Sequence, residues 1–159
     1  TAYKAVMKPK EGTILTVARG MAEKAADVFD TTDDLAEGLR QIIEYGDYML
    51  CGTRGWINEQ GEAVDKKVLK REAGRLRMSL EDGKKTGKEP IVFLHYPPIY
   101  GSNECYEILD VLLEYEVKRC FYGHLHGRSC QYAINGERNG IDFRLVSCDF
   151  LQFTPLKIL

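Results

Sequence analysis

Two short apolar runs that end at histidines do most to limit what this chain can fold into. Ile91-Val92-Phe93-Leu94 leads into His95, and Arg119-Cys120-Phe121-Tyr122 leads through Gly123 into His124-Leu125-His126-Gly127. Four consecutive apolar residues are too few for a helix and suit a strand buried on both faces. Between the runs, residues 104–115 carry Ile108, Leu109, Leu112 and Leu113 at helical spacing. Strand, helix, strand over this length is a βαβ unit. Strands at 91–95 and 117–122 are therefore expected to be parallel, with a right-handed crossover, and the fold class is α/β.

The neighbouring segments fit the same scheme. Residues 47–51 form a short apolar run near glycines and predict a strand, followed by a loop over 52–56. Residues 64–85 place Val64, Val68, Leu69, Leu76 and Leu80 among many charges, the pattern of a surface helix with one face on a core. Residues 83–90 read as a polar linker. Residues 130–134 and 141–146 flank a glycine- and asparagine-containing stretch at 135–140, which predicts a hairpin, so the sheet is expected to turn antiparallel there. Residues 155–159 suggest a last short strand. Helices are expected over 2–7, 18–29 and from 32 to about 45, the last capped by Thr31 or Thr32 and ended by Gly46. The 159 residues form one domain in this reading, with 1–46 the least patterned part.

Bulk properties exclude several function classes. A formal charge of −2 supplies no global field to gather nucleic acid or anionic membranes, so charge does not indicate a nucleic-acid partner. No apolar stretch is long enough to span a bilayer, and the first residues lack a basic-then-apolar leader pattern, which predicts a cytoplasmic protein with no membrane partner. Five cysteines, Cys51, Cys105, Cys120, Cys130 and Cys148, form an odd set without a C-x-x-C pair, the usage of reduced thiols.

The chain has three histidines, and all stand at the two strand ends described above. In a parallel sheet, ligands collect beyond the carboxyl ends of the strands. His95 and His124, on strands joined by one crossover, are expected to be neighbours there. Neutral imidazole is a common ligand for Zn, Mn or Fe. Glycines at 123 and 127 let the backbone turn around the H-x-H segment. A single histidine at a strand end is more often a hydrogen-bonded structural group; the combination favours a pair of metals roughly 4 Å apart, as in two-metal phosphate-ester hydrolases.

His95-Tyr96-Pro97-Pro98 and Gly123-His124-Leu125-His126-Gly127, in that order and about thirty residues apart, resemble the last two metal-binding motifs of the calcineurin-like metallophosphoesterases. Cys51-Gly52-Thr53-Arg54-Gly55-Trp56, Lys70-Arg71-Glu72 and Leu145-Val146-Ser147-Cys148-Asp149-Phe150 resemble the corresponding stretches of a bacterial branch of that family. The resemblance covers residues 47–159. It implies part of an αββα sandwich, divalent metal cofactors (two in the complete enzyme, Mn, Fe, Zn or similar), a phosphate mono- or diester substrate, and hydrolysis assisted by both metals. It also implies that His95 and His124 bind one metal and His126 the other.

The family's D-x-H, G-D-x-x-D and G-N-H-D motifs are missing, and with them most negative ligands and the proton-donating histidine; Gly46-Asp47 has Leu50 where the second acid would stand. Three neutral imidazoles do not offset the four charges of two divalent ions. This absence, with Thr1 in first place, leads to the expectation that the chain is the C-terminal part of a longer phosphoesterase. The rival is a degenerate relative acting as a binding or scaffold module. A half-sandwich would leave apolar surface uncovered, so self-association is expected.

Among the other residues, Arg54 can fork onto a substrate phosphate or serve as a surface arginine near Trp56. Tyr96 and Tyr100 can line the site or pack on the sheet rim. Asp149 can orient a histidine or cap a turn. The catalytic residue itself is not legible. Pro97-Pro98 alone lacks the longer pattern of a ligand for proline-reading modules.

Overall fold

The computed structural model describes residues 44–45, 47–57 and 66–158. The expected helices at 2–7 and 18–29, and the helix from 32 as far as residue 43, lie outside the described residues. Among the described residues, eight strands and two α-helices follow in order: β1 (Glu44–Tyr45), β2 (Tyr48–Thr53), α1 (Lys66–Lys84), β3 (Glu89–Leu94), β4 (Ile99–Tyr100), β5 (Asn103–Glu104), α2 (Tyr106–Glu114), β6 (Arg119–Tyr122), β7 (Gly136–Arg138) and β8 (Ile141–Leu145). The main sheet runs β1-β2-β3-β6-β8-β7. Four of its strands, β2, β3, β6 and β8, are mutually parallel, and β1 and β7 close its two edges antiparallel.

The two helices form because their apolar residues recur on one face. On α1, Leu69, Ala73, Leu76 and Leu80 are buried at steps of three and four; on α2, Ile108, Leu109, Val111 and Leu112 are buried. They meet Met49, Cys51, Val92, Leu94, Cys120, Tyr122 and Phe143 of the sheet in one core. Each fully buried large apolar side chain stabilises the fold by roughly 1.5–3 kcal/mol, so the helix face of the sheet carries most of the stability. Tyr122 is 1% exposed, and its hydroxyl donates to the Ile134 carbonyl at 2.6 Å. On the opposite face Phe93 and Phe121 stack at 5.2 Å, and the ion pairs Arg119–Glu89 and Arg144–Asp142 lie on the same face. Phe121 and Ile91 are buried and Phe93 half-buried.

The five cysteines are free thiols, as their odd count predicted. Burial pushes Cys51 and Cys120 above the ordinary thiol range and Cys105 up to about 11, so these three act as small packing groups.

Gly52 is where β2 and β3 approach most closely. A methyl group there would lie 2.1 Å from the Phe93 carbonyl oxygen. That oxygen belongs to the sheet ladder and cannot rotate away, so Gly52→Ala is expected to cost about 2–4 kcal/mol, near the upper end for overpacking. A urea midpoint unchanged by the substitution would show that the strands can part without loss.

Several sequence expectations need correction. β2 continues through Gly52 and Thr53 into the stretch read as a loop, because Thr53 pairs with Leu94. Glu44–Tyr45 is an edge strand and not the end of a helix. Residues 83–90 are not all linker, since α1 reaches Lys84 and β3 starts at Glu89. Residues 103–104 pair with 99–100 in a small hairpin around Gly101 (φ +57°), so α2 begins at Tyr106. Residues 130–134 are not a strand. Residues 130–132 complete a 3-10 turn, Gly127–Tyr132, Ala133 makes an isolated antiparallel bridge to Tyr100, and the hairpin forms one step later. Asn139 (φ +54°) and Gly140 (φ +77°) supply the two left-handed residues of a tight turn that pairs β7 with β8. Because β8 runs parallel to β6, the antiparallel part of this end is confined to β7. Residues 155–158 form no strand.

Candidate metal centre

All four parallel strands end on one rung of the sheet: Thr53 pairs with Leu94, Leu94 with Tyr122, and Tyr122 with Leu145. The residues that follow this rung are Arg54, His95, Gly123-His124 and Val146-Ser147-Cys148-Asp149. A common register therefore delivers chemistry-bearing side chains from four segments to one edge, the carboxyl edge at which parallel sheets bind ligands. The loops are tied together by backbone bonds. The Arg54 carbonyl accepts from the His95 and Tyr96 amides at 3.1 and 2.9 Å, and the Gly123 amide reaches the His95 carbonyl at 3.2 Å.

His95 and His124 are neighbours, as the crossover predicted. His124 Nδ1 lies 3.1 Å from His95 Nε2, with the ring centroids 5.0 Å apart. Two imidazole nitrogens sharing one ion at about 2.0–2.1 Å, at angles between square and tetrahedral, stand roughly 2.8–3.4 Å apart. The observed separation is that of a hydrogen bond between the two rings, and it also falls inside the window for two nitrogens on one divalent ion. The sharp turn is made differently from the expectation. His124 itself has φ +70°, while Gly123 does not adopt the left-handed region and only Gly127 (φ +56°) does. A left-handed histidine is held at a cost that local structure must repay, a pattern that clusters at functional sites.

His126 is oriented from outside. Its Nδ1 lies 2.8 Å from Asp149 Oδ1, and the other carboxylate oxygen accepts from the Gly127 amide at 2.7 Å. Asp149 thus both orients a histidine and caps a turn. The Gly127 amide, then His126, holds its carboxyl below the usual aspartate range. With Nδ1 engaged, Nε2 is the ring nitrogen left for a further partner. Ser129 fixes the backbone beneath, accepting from the His126 amide at 2.9 Å and donating to its carbonyl at 2.7 Å. The thiol of Cys148 joins this group: one ligand atom each from His126, Cys148 and Asp149 lie within 4.8 Å of one another. Cys148 was not anticipated as a donor, and nothing in its spacing marks it. The Ser147 hydroxyl, in a residue 5% exposed, has no hydrogen-bond partner among the described residues. An unmet buried hydroxyl costs about 1–3 kcal/mol, which functional edges tolerate more often than cores.

Tyr96 lines the pair, its ring centroid 4.2 Å from that of His124 and 4.9 Å from that of His95, and Trp56 packs behind it at 4.9 Å. Tyr100 does not reach these rings; it meets Tyr132 at 5.7 Å. Arg54 lies over Trp56 at 4.8 Å and bonds to Glu72 Oε1 at 3.3 Å. Glu72, fully buried on α1, also receives Arg71 at 3.3 Å, Arg75 at 3.0 Å and the Thr53 hydroxyl at 2.8 Å. The sequence marks Lys70-Arg71-Glu72 and the Thr53-Arg54 stretch by their resemblance, with no indication that they meet.

No family model and no solved structure matches the chain. Short stretches are similar to longer staphylococcal proteins described as uncharacterized. One from Staphylococcus saprophyticus is 51% identical over 53 residues, 33% of this chain and 10% of that protein. One from Staphylococcus epidermidis is 49% identical over 53 residues with the same coverage. One from Staphylococcus aureus is 56% identical over 43 residues, 27% of this chain and 8% of the relative. The chain spans about a tenth of the length of the curated relatives it matches. No helix among the described residues is long and apolar enough to cross a membrane.

Proposed function

We propose that this chain supplies the C-terminal part of a metal-dependent phosphoesterase of the calcineurin-like kind, within an αββα sandwich, and that the complete protein hydrolyses phosphate mono- or diesters. The observation that carries the reading is the 3.1 Å approach of His124 Nδ1 to His95 Nε2 beside an Asp149-oriented His126. That arrangement agrees with the ligand roles the motif resemblance implies. His95 and His124 would hold one divalent ion and His126, through Nε2, the other. Such ions polarise phosphoryl oxygens and generate the attacking nucleophile at neutral pH. Asp149 keeps the His126 ring in one tautomer, and Tyr96 packs against both rings of the pair and restricts their rotation. The further carboxylates needed to balance two ions would come from outside residues 47–159.

The complete gene product with added Mn²⁺ is expected to hydrolyse 4-nitrophenyl phosphate or its bis-ester and to lose the activity in EDTA. Asp149→Asn, which leaves the fold intact but weakens the hold on His126, should lower metal affinity by about 10–100-fold. A protein that retains no stoichiometric metal and leaves both esters intact would instead be a scaffold module that keeps only the fold.

A further inference from the structure

We infer that Arg54, Arg71 and Arg75 form a second phosphate-recognition site on the same rim as the histidines, so that the favoured substrate carries a second phosphoryl group at a distance from the one attacked. The substrate assignment rests on the phosphoesterase reading; the anion site itself does not.

The three guanidinium groups converge on one oxygen, Glu72 Oε1, at 3.3, 3.3 and 3.0 Å, through one nitrogen each. A single carboxylate oxygen cannot use the full fork of three guanidinium groups, and each retains further N–H donors. Glu72 has no exposed surface, whereas the arginine side chains are 43%, 52% and 59% exposed. The buried acid therefore anchors three exposed guanidinium groups, and among the described residues it is one acid against three arginines. The helix adds to this imbalance. Lys66, Lys67 and Lys70 precede Arg71 in its first turns, where cations oppose the helix dipole, and there is no acid in its first turn. Arg77, further along, is engaged by Glu114. Positive charge assembled against its own repulsion favours an incoming anion, and planar forks favour phosphate over a point charge.

Placement ties this cluster to the histidines. Arg54 shares its carbonyl with the His95 and Tyr96 amides, and its guanidinium begins a run of contacts, Arg54 to Trp56 to Tyr96 to His124, at 4.8, 4.9 and 4.2 Å. A phosphoryl group held by the arginines thus lies on the same rim as one held at the histidines, separated from it by the Trp56 and Tyr96 rings.

Trp56, the chain's only tryptophan, is a built-in reporter. Pyrophosphate titrated into the full chain in EDTA is expected to change its fluorescence saturably and to bind more tightly than inorganic phosphate. Arg71→Gln with Arg75→Gln should weaken that binding at least about tenfold. Arg71→Lys, which keeps the charge and loses the fork, should weaken it by a smaller factor. His124→Asn should leave it within about twofold, which separates this site from the metal centre. Competition between pyrophosphate and a thymidine octanucleotide distinguishes a pyrophosphoryl ester from a phosphodiester chain as the source of the second group. Folded double variant that binds both probes as well as the parent, or a parent that binds neither, overturns the anion site. Anion binding without ester hydrolysis by the complete protein would retain the site and remove the phosphoesterase reading. Hydrolysis of pyrophosphoryl and diester substrates unchanged in the double variant would remove the substrate assignment.

Discussion

Replacing His124 with asparagine is expected to lower the affinity for a divalent ion at the proposed centre by at least about 100-fold and, in the complete protein, to abolish the proposed phosphoesterase activity. The loss of an outer partner of a metal ligand already costs 10–100-fold, and this change removes one of two imidazoles that face each other at 3.1 Å. Asparagine is the informative substitution because position 124 has φ +70°, which asparagine tolerates better than alanine. Any loss then reports the missing nitrogen and not a distorted turn. Thermal stability should change little, since the His124 side chain is not part of the buried core. Metal content and rate should fall together, measured by mass spectrometry and ester hydrolysis; a variant that keeps both contradicts the ligand role.

Glu72→Ala is expected to destabilise the fold by about 2–4 kcal/mol. Removing one partner of a buried ion pair commonly costs 3–5 kcal/mol, but here the three guanidinium groups are about half exposed and can turn to water, which lowers the cost. What does not relax is the Thr53 hydroxyl, left without its 2.8 Å acceptor, and the cavity beneath α1. Burial raises the Glu72 carboxyl, while the Thr53 hydroxyl and then Arg54, Arg75 and Arg71 outweigh it and hold it below the ordinary glutamate range. A depressed folded value means that its contribution is fully present above the unfolded glutamate value, about 4.3, and is lost as pH falls through the folded value. The parent should therefore lose stability on acidification below that range by more than Glu72→Gln does. Parallel stability–pH curves for the two proteins would refute the assignment.

Much of the fold was legible because strong periodicity left little choice. The runs at 91–94 and 119–122 are short and uniformly apolar, and the helices at 66–84 and 106–114 keep one apolar face. The misses share a physical cause. β4 and β5 are two residues each, too short for any alternation to register, and the Cys130–Ile134 segment alternates like a strand but is captured by the 3-10 turn that follows Gly127. The parallel placement of β8 depends on pairing with β6, which no local pattern encodes. In the site, His95, His124 and Asp149 could be proposed because strand ends predict neighbours. The role of Glu72 could not, since Thr53 at the end of β2 and Arg54 just after it reach it from nineteen and eighteen residues earlier.

The shared rung explains why so few residues suffice to mark this edge. Thr53, Leu94, Tyr122 and Leu145 stop together, so each following residue begins at the same height. Because the chain contains only three histidines, its imidazole nitrogens form a three-residue NMR spectrum that reads the proposed centre without background. Titration with Zn²⁺ should shift the His95 Nε2 and His124 Nδ1 resonances together over the first equivalent, with His126 responding through Nε2 only as a second is added and its Nδ1 staying bonded to Asp149. In His124→Asn the His95 response should disappear from the stoichiometric range. Imidazole resonances unmoved by one equivalent of Zn²⁺, or a His95 shift that survives the loss of His124, would contradict a metal centre at this edge.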